Sequence, residues 1–403
     1  MNNNTAGKTG GVPEKQIVYK VLFAISFTHF LNDLIQSAIP SLYPVLKTEF
    51  NLSFAQIGVI TLASQLTASI LQPFVGIYTD KKTTPRSLAI GMTLSLTGLL
   101  LLAFAHYYSM ILVAVSLVGM GSSIFHPEAS RVAQLASGGR KGLAQSIFQV
   151  GGNAGSAVGP LLVALIVLPL GQQYVSVFAF AAFIGIIILY RIGTWYGARA
   201  LERKAAPQTR ETVGITLPRK KIIFSIVILL VLVFSKYVYL ASMTNYFTFF
   251  LIDKFHVSVK DSQLYLFLFL AAVAVGTILG GGLGDRYGRK KIIWISILGA
   301  SPFTISLPYL PLGWTIVFAV ITGLIIASAF SAILVFATDL MPGKLGLVAG
   351  LFFGFSFGMA GIGSAVLGAL ADHTSIEFVF RICAYLPLIG IITGFLPGNK
   401  LHK

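Results

Sequence analysis

Apolar residues run along this chain in long blocks, not in the short alternations of a soluble fold. A helix of about 20 mostly apolar residues crosses a bilayer. Twelve such stretches are present, at roughly 18–40, 54–78, 87–105, 108–135, 142–168, 174–194, 222–250, 263–283, 292–310, 314–338, 346–370 and 376–397. Strands of alternating polarity, the mark of an outer-membrane barrel, are absent from the pattern. The longest polar stretch is 195–221 (WYGARALERKAAPQTRETVGITLPRKK), and it divides the spans six and six. The expected organisation is a polar N-terminus (1–16), a six-helix half (17–194), a linker (195–221), a second six-helix half (222–398) and a short tail (399–403). The first apolar run is too long for a signal-peptide core and carries His29, Asn32 and Asp33, so it reads as a retained helix.

Composition narrows the class. Of 403 residues, 10% are charged, against roughly 25% in an average soluble protein. That is too few to cover a water-soluble globule, which excludes a soluble enzyme. A disordered chain needs low hydrophobicity, and this chain is 56% hydrophobic. The one cysteine, Cys383, excludes an intramolecular disulfide and a Cys-rich zinc site. With the N-terminus inside, 24 of the 29 Lys and Arg fall at the cytoplasmic side. Lys47, Lys254 and Lys260 lie outside, and Lys236 and Arg381 lie within spans. This is a strong positive-inside bias. It places both termini in the cytoplasm and the lipid bilayer around the protein. It also accounts for the net charge of +16 without nucleic acid, because the charge is spread over successive loops.

The two halves repeat. Gly76 and Asp80 after span 2 match Gly281 and Asp285 after span 8, and Gly119, Gly142 and Gly159 match Gly323, Gly346 and Gly363. Such duplication suits a carrier whose two bundles rock about a midplane site. After span 8 the chain reads Gly281-Gly-Leu-Gly-Asp285-Arg286-Tyr-Gly288-Arg289-Lys-Lys. This resembles the cytoplasmic loop signature of the major facilitator superfamily, G-x-x-x-D-R-x-G-R-[RK]. The resemblance implies an all-α membrane fold of twelve helices in two pseudo-repeated bundles. The glycines allow a tight turn and close helix approach, and the Asp and Arg side chains act as a latch between bundles. The first copy departs from the signature, with Lys81 in place of Arg. In span 5, Gly155-x-x-x-Gly159-Pro160 is similar to the superfamily's antiporter signature, although Val163 and Ala164 stand where it has glycines. With Gly151, these residues form a small-residue strip suited to helix packing. The segments 29–44, 121–160, 234–242 and 367–380 resemble the superfamily's exporters that give bacteria resistance to a phosphonate antibiotic. That resemblance implies proton-driven efflux of a small anionic drug across the inner membrane.

An ionisable group inside a span costs about 2.5–3.5 kcal/mol at the centre on insertion scales, so each needs a partner or a task. His29, Asn32, Asp33 and Gln36 share one face of span 1. Asp33 is the first candidate proton carrier, with His29 beside it. In span 4, His126, Glu128 and Arg131 form a candidate relay, with Arg131 holding Glu128. Lys236 lies about 22 Å along span 7 from the charged edge at Arg219–Lys221, deep enough to meet an anionic substrate. Tyr237, Tyr239 and Asn245 follow it. Gln145, Gln149 and Asn153 line one face of span 5, opposite the glycine strip. The expected substrate contacts are Lys236, Asn32, Gln36, Arg131, Gln149, Asn153, Tyr237, Tyr239 and Asn245. Each of these has a plainer reading as a structural contact, such as a fixed pairing of Lys236 with Asp33 or Glu128. No nucleophile elbow, Walker loop or metal-spaced His/Cys set is present, so no enzyme activity or cofactor is expected and an ion gradient is the default driving force. The expected function is a drug/proton antiporter that works as a monomer. Its competitors are an uptake symporter for an organic anion or sugar phosphate, and a channel or scaffold subunit.

Overall fold

The computed structural model describes residues 17–81, 84–138, 140–205, 217–341 and 345–398. The described residues hold helices and no strand. Ten segments are long and apolar enough to cross a membrane. The first helix, Tyr19–Ser41, and the shorter apolar helix Ser87–Ala103 bring the set to twelve. In chain order these are α1 (Tyr19–Ser41), α2 (Phe54–Lys81), α3 (Ser87–Ala103), α4 (Tyr108–Leu135), α5 (Lys141–Leu162, continued by a π turn, Val163–Val167) and α6 (Phe178–Ala205). The second half holds α7 (Arg219–Phe255), α8 (Val259–Tyr287), α9 (Arg289–Tyr309), α10 (Leu312–Leu340), α11 (Leu345–His373) and α12 (Ile376–Phe395). One expected boundary moves. The linker does not begin at residue 195, because α6 stays helical to Ala205, and ALERKA continues it without a breaker. Residues 206–216 lie outside the described part.

The duplicated glycines sit at equivalent helix crossings. A methyl at Gly119 would strike Thr67 and Ser64, fixing α4 against α2, and one at Gly323 would lie 2.8 Å from the Phe269 carbonyl, fixing α10 against α8. Gly159 meets Ser37 between α5 and α1, and Gly363 meets Val238 between α11 and α7. Each contact in the first half recurs six helices later, so the sequence repeat is a structural repeat. Gly151 and Gly155 likewise meet the Ser26 and Phe30 carbonyls and seat α5 on α1. The lipid-facing surface is apolar, with Phe74, Phe180 and Phe395 exposed, whereas the interior buries polar groups such as His29, Asn32, His126 and Lys236. That inversion is what a bilayer selects.

The halves touch unevenly. At the end away from the basic loops, a methyl at Gly58 of α2 would lie 2.7 Å from the Ser364 carbonyl of α11, and Gly368 abuts Phe54. Along the same seam toward the basic loops the fit loosens while contact persists: a methyl at Gly354 would lie 3.2 Å from the Ser69 carbonyl and one at Gly350 3.8 Å from Pro73. The buried apolar residues follow suit. One continuous core joins the first half to the outer ends of α7, α8 and α12. The ends of α7, α9, α10 and α11 near the basic loops keep a separate core of their own. The halves are therefore packed most tightly on the side away from the basic loops.

Candidate functional site

Three titratable side chains converge where α1 meets α4. His29 Nε2 lies 3.3 Å from Asp33 Oδ2, and His126 Nε2 lies 3.6 Å from Asp33 Oδ1. The spacing of 29 and 33, one helical turn, puts the first pair on a common face. The amides of Asn32 and Gln36 donate to Asp33 Oδ1 at 3.0 and 3.3 Å. Both imidazoles are held from behind. His29 Nδ1 is 2.8 Å from the Phe148 carbonyl of α5, and its ring stacks on Phe148 at 4.0 Å. His126 Nδ1 is 3.1 Å from both the Ser122 carbonyl and the Ser122 hydroxyl. A carbonyl can only accept, so each Nδ1 donates its hydrogen backwards. Both Nε2 atoms then turn toward the carboxylate. Two ring nitrogens thus face one carboxylate, an arrangement in which a proton can pass between the three side chains. A methyl at Gly152 would lie 2.5 Å from His29 Nε2 and 2.6 Å from Asp33 Oδ2, so only a glycine fits beside this group.

Lys236 sits near the middle of α7, 3% exposed. Its Nζ donates to the Ala327 carbonyl at 3.4 Å. α10 is interrupted between Ala327 and Ala329, which frees that carbonyl from its helix. The ammonium also lies 5.6 Å from the Phe330 ring and 5.7 Å from the Tyr237 ring, a favourable setting for a cation. Among the described residues no carboxylate comes within 4.0 Å of it. A standing pair with Asp33 or Glu128 is thus not what the structure holds. Phe330 also lines a cavity of about 610 Å³ between α1, α5, α8, α9 and α10, of which Lys236 itself is not a wall. Ser26, Gln145, Gln149, Phe330 and Arg289 are among its walls. Gln149 Oε1 has no hydrogen-bond partner.

The other expected residues distribute as follows. Glu128 is fully buried and pairs with Arg131 at 3.6 Å, with Ser87 and Tyr196 as further neighbours. Positions 126 and 128 point to opposite sides of a helix, so this pair forms a separate cluster, and Arg131 is not among the cavity walls. Tyr237 faces Ser356, whereas Tyr239, two residues on and so on the other side of α7, is buried against Thr322. Asn245 donates to Ser364 at 3.1 Å in the closed seam. Asn153 crosses the halves to Thr277 of α8 at 2.8 Å. Asp80 and Asp285 fall on the last turns of α2 and α8, and their side chains, like that of position 281, lie outside the described part. Gly288 has φ 91°, the left-handed turn that breaks α8 from α9. Gly76 is buried near the end of α2. Arg286 is exposed, its guanidinium 5.3 Å from the Tyr287 ring, and Arg289 pairs with Asp339 of α10 within the second half. Phe330, Phe357, Ser122, Tyr196 and Asp372 were not singled out from sequence. Asp372 of α11 accepts from the Phe54 and Ala55 amides at 2.8 and 2.7 Å, capping α2 across the closed seam.

The comparisons agree with this architecture. The Major Facilitator Superfamily profile matches residues 25–353, with an overlapping match at 237–401. The chain is 55% identical over 398 residues to the fosmidomycin resistance protein of Escherichia coli (strain K12), covering 99% of this chain and 97% of that protein. It is 41% identical over 389 residues to the uncharacterized MFS-type transporter YfnC of Bacillus subtilis (strain 168), covering 95% and 94%. Among solved structures, the nucleoside transporter NupG superposes with a TM-score of 0.67 at 16% identity, over 93% of this chain and 98% of that one. The chain is a multi-pass membrane transporter of small molecules and belongs to the major facilitator superfamily.

Proposed function

We propose that the protein is a proton-coupled antiporter that exports a small anionic antibiotic of the fosmidomycin type across the bacterial inner membrane. It works as a monomer with both termini in the cytoplasm. The observation that carries this reading is the His29–Asp33–His126 cluster, two imidazoles gathered on one carboxylate, set in the same carrier as a lysine with no carboxylate partner among the described residues. The name and extent of the Escherichia coli relative support the choice of drug. In the cycle, drug enters from the cytoplasm past Gln149 and Phe330 toward Lys236. The outer seam at Gly58 and Gly368 then opens, and a proton returns on the cluster. The test uses purified protein in liposomes and an imposed pH difference. Export holds if protonation of the trans side drives fosmidomycin the opposite way, and if the gene protects a pump-deficient strain against fosmidomycin.

The lysine ammonium also supports a second reading, uptake of an organic anion together with a proton. Binding an anion at Lys236 displaces no carboxylate, so charge alone lets both loads ride together. In the same liposomes, drug and proton moving in one direction would select this alternative.

A further inference from the structure

We infer that His29, Asp33 and His126 form a binding site for a divalent transition-metal ion of the zinc type, and that such an ion blocks transport by taking the proton's place. The inference shares its residues with the proton-coupling reading and extends it to regulation of that site.

Three observations support it. First, the spacing is right. Zinc bonds to nitrogen and oxygen are about 2.0–2.1 Å, which sets neighbouring tetrahedral ligands roughly 3.3–3.4 Å apart. His29 Nε2 lies 3.3 Å from Asp33 Oδ2 and His126 Nε2 lies 3.6 Å from Asp33 Oδ1, so the carboxylate offers one oxygen to each imidazole, and one ligand atom from each of the three residues lies within 4.8 Å of the others. Second, the imidazoles are oriented as metal ligands are. A ligating histidine almost always gives its other N–H to a carbonyl, carboxylate or water, and both Nδ1 atoms already face carbonyls, at Phe148 and Ser122. Asn32 and Gln36 orient the carboxylate in the same way. Third, His29 Nε2 is buried and faces Asp33 at 3.3 Å without a well-aligned hydrogen bond, and the glycine at 152 keeps side chains off that face. Two imidazoles and one carboxylate suit Zn²⁺, Co²⁺ or Ni²⁺ and not Mg²⁺ or Ca²⁺, which take oxygen ligands. All three ligands belong to the first half, so the ion does not staple the halves together. It acts by occupying the seat a proton would use.

The experiment uses zinc chloride and the full-length, tag-free protein. Calorimetry in detergent is expected to show one Zn²⁺ bound per chain, with proton release in buffers of differing ionisation heat. His29→Gln and His126→Gln should each weaken binding by 10-fold or more, while His256→Gln, at an exposed position, should leave it unchanged. Zinc should also slow pH-driven drug exchange in liposomes. Magnesium is expected to show no binding. No zinc binding below millimolar concentration, or binding indifferent to both glutamine variants while they keep wild-type elution and helicity, overturns the inference. Calorimetry needs no transport, so the two readings fail separately. Zinc binding without pH-driven exchange refutes proton coupling and leaves the metal site standing. Exchange that depends on Asp33 without zinc binding does the reverse.

Discussion

Replacing Lys236 by Met removes one buried ammonium and keeps most of its volume. The side chain is 3% exposed, its one hydrogen bond to Ala327 is long at 3.4 Å, and its neighbours are the Phe330 and Tyr237 rings. An apolar group of similar shape is well tolerated in such a place, so the variant should fold. What it loses is contact with an anion. Two unit charges about 4 Å apart attract by about 4 kcal/mol at an effective dielectric near 20. Desolvating the anion offsets much of this, and a hydrogen bond to a charged group nets about 1.5–3 kcal/mol. At 1.4 kcal/mol per decade, that is a roughly 10- to 100-fold rise in Kd. Calorimetry of fosmidomycin binding to purified wild-type and K236M protein measures it, with an uncharged drug as control. If both compounds lose affinity alike, or the phosphonate loses none, Lys236 is not the anion contact.

Asp33→Asn should abolish pH-driven exchange while leaving helicity and elution unchanged, because Asn keeps the shape and removes the shared charge; liposome flux under an imposed pH difference measures it. Gly152→Ala forces a methyl to within 2.5–2.6 Å of His29 and Asp33, an overpacking cost of about 1–3 kcal/mol. Thermal unfolding should record that loss together with lost exchange. Asp372→Ala deletes the cap on α2, a change of about 0.5–2 kcal/mol. Electron-resonance distances between labels at Asn51→Cys and Thr374→Cys should then show more of the state open on that side, and unchanged distances would rule out the latch.

Much of the fold was legible because a bilayer imposes a coarse rule. Span limits follow from the length of apolar runs, and they hold at α4 and α12 to within a few residues. The glycine repeats were legible as a repeat, and the crossings at Gly119 and Gly323 show why both copies need glycine. The α1 polar stripe was legible from helical periodicity. Which group from α4 meets Asp33 was not, because that contact joins distant parts of the chain. Grouping His126 with Glu128 overlooked that residues two apart diverge on a helix. Phe330 and Phe357 stood among 31 phenylalanines with nothing to mark them. Lys236 stood out as a deep cation, but its partner is a carbonyl freed by a break in α10, and sequence offers no sign of that break.

Charge decides what the two loads prefer, and the gates decide what the carrier does with that preference. The proton cluster belongs to the first half and the lysine to the second, with a layer of rings between them. Phe357 lies 5.3 Å from His126, Phe353 lies 5.1 Å from Phe330, and Lys236 lies against Phe330. A proton on one side and an anion on the other attract. For a separation on the order of 10 Å and a dielectric near 20 this is about 1.7 kcal/mol in favour of holding both. An exchanger must overcome that bias by denying passage to the doubly loaded carrier. The aromatic layer is placed to do so, since a drug seated at Lys236 pushes on Phe330, and Phe330 is linked through Phe353 and Phe357 to His126. The direction of coupling therefore depends less on the charged residues than on whether these rings can close over both loads at once.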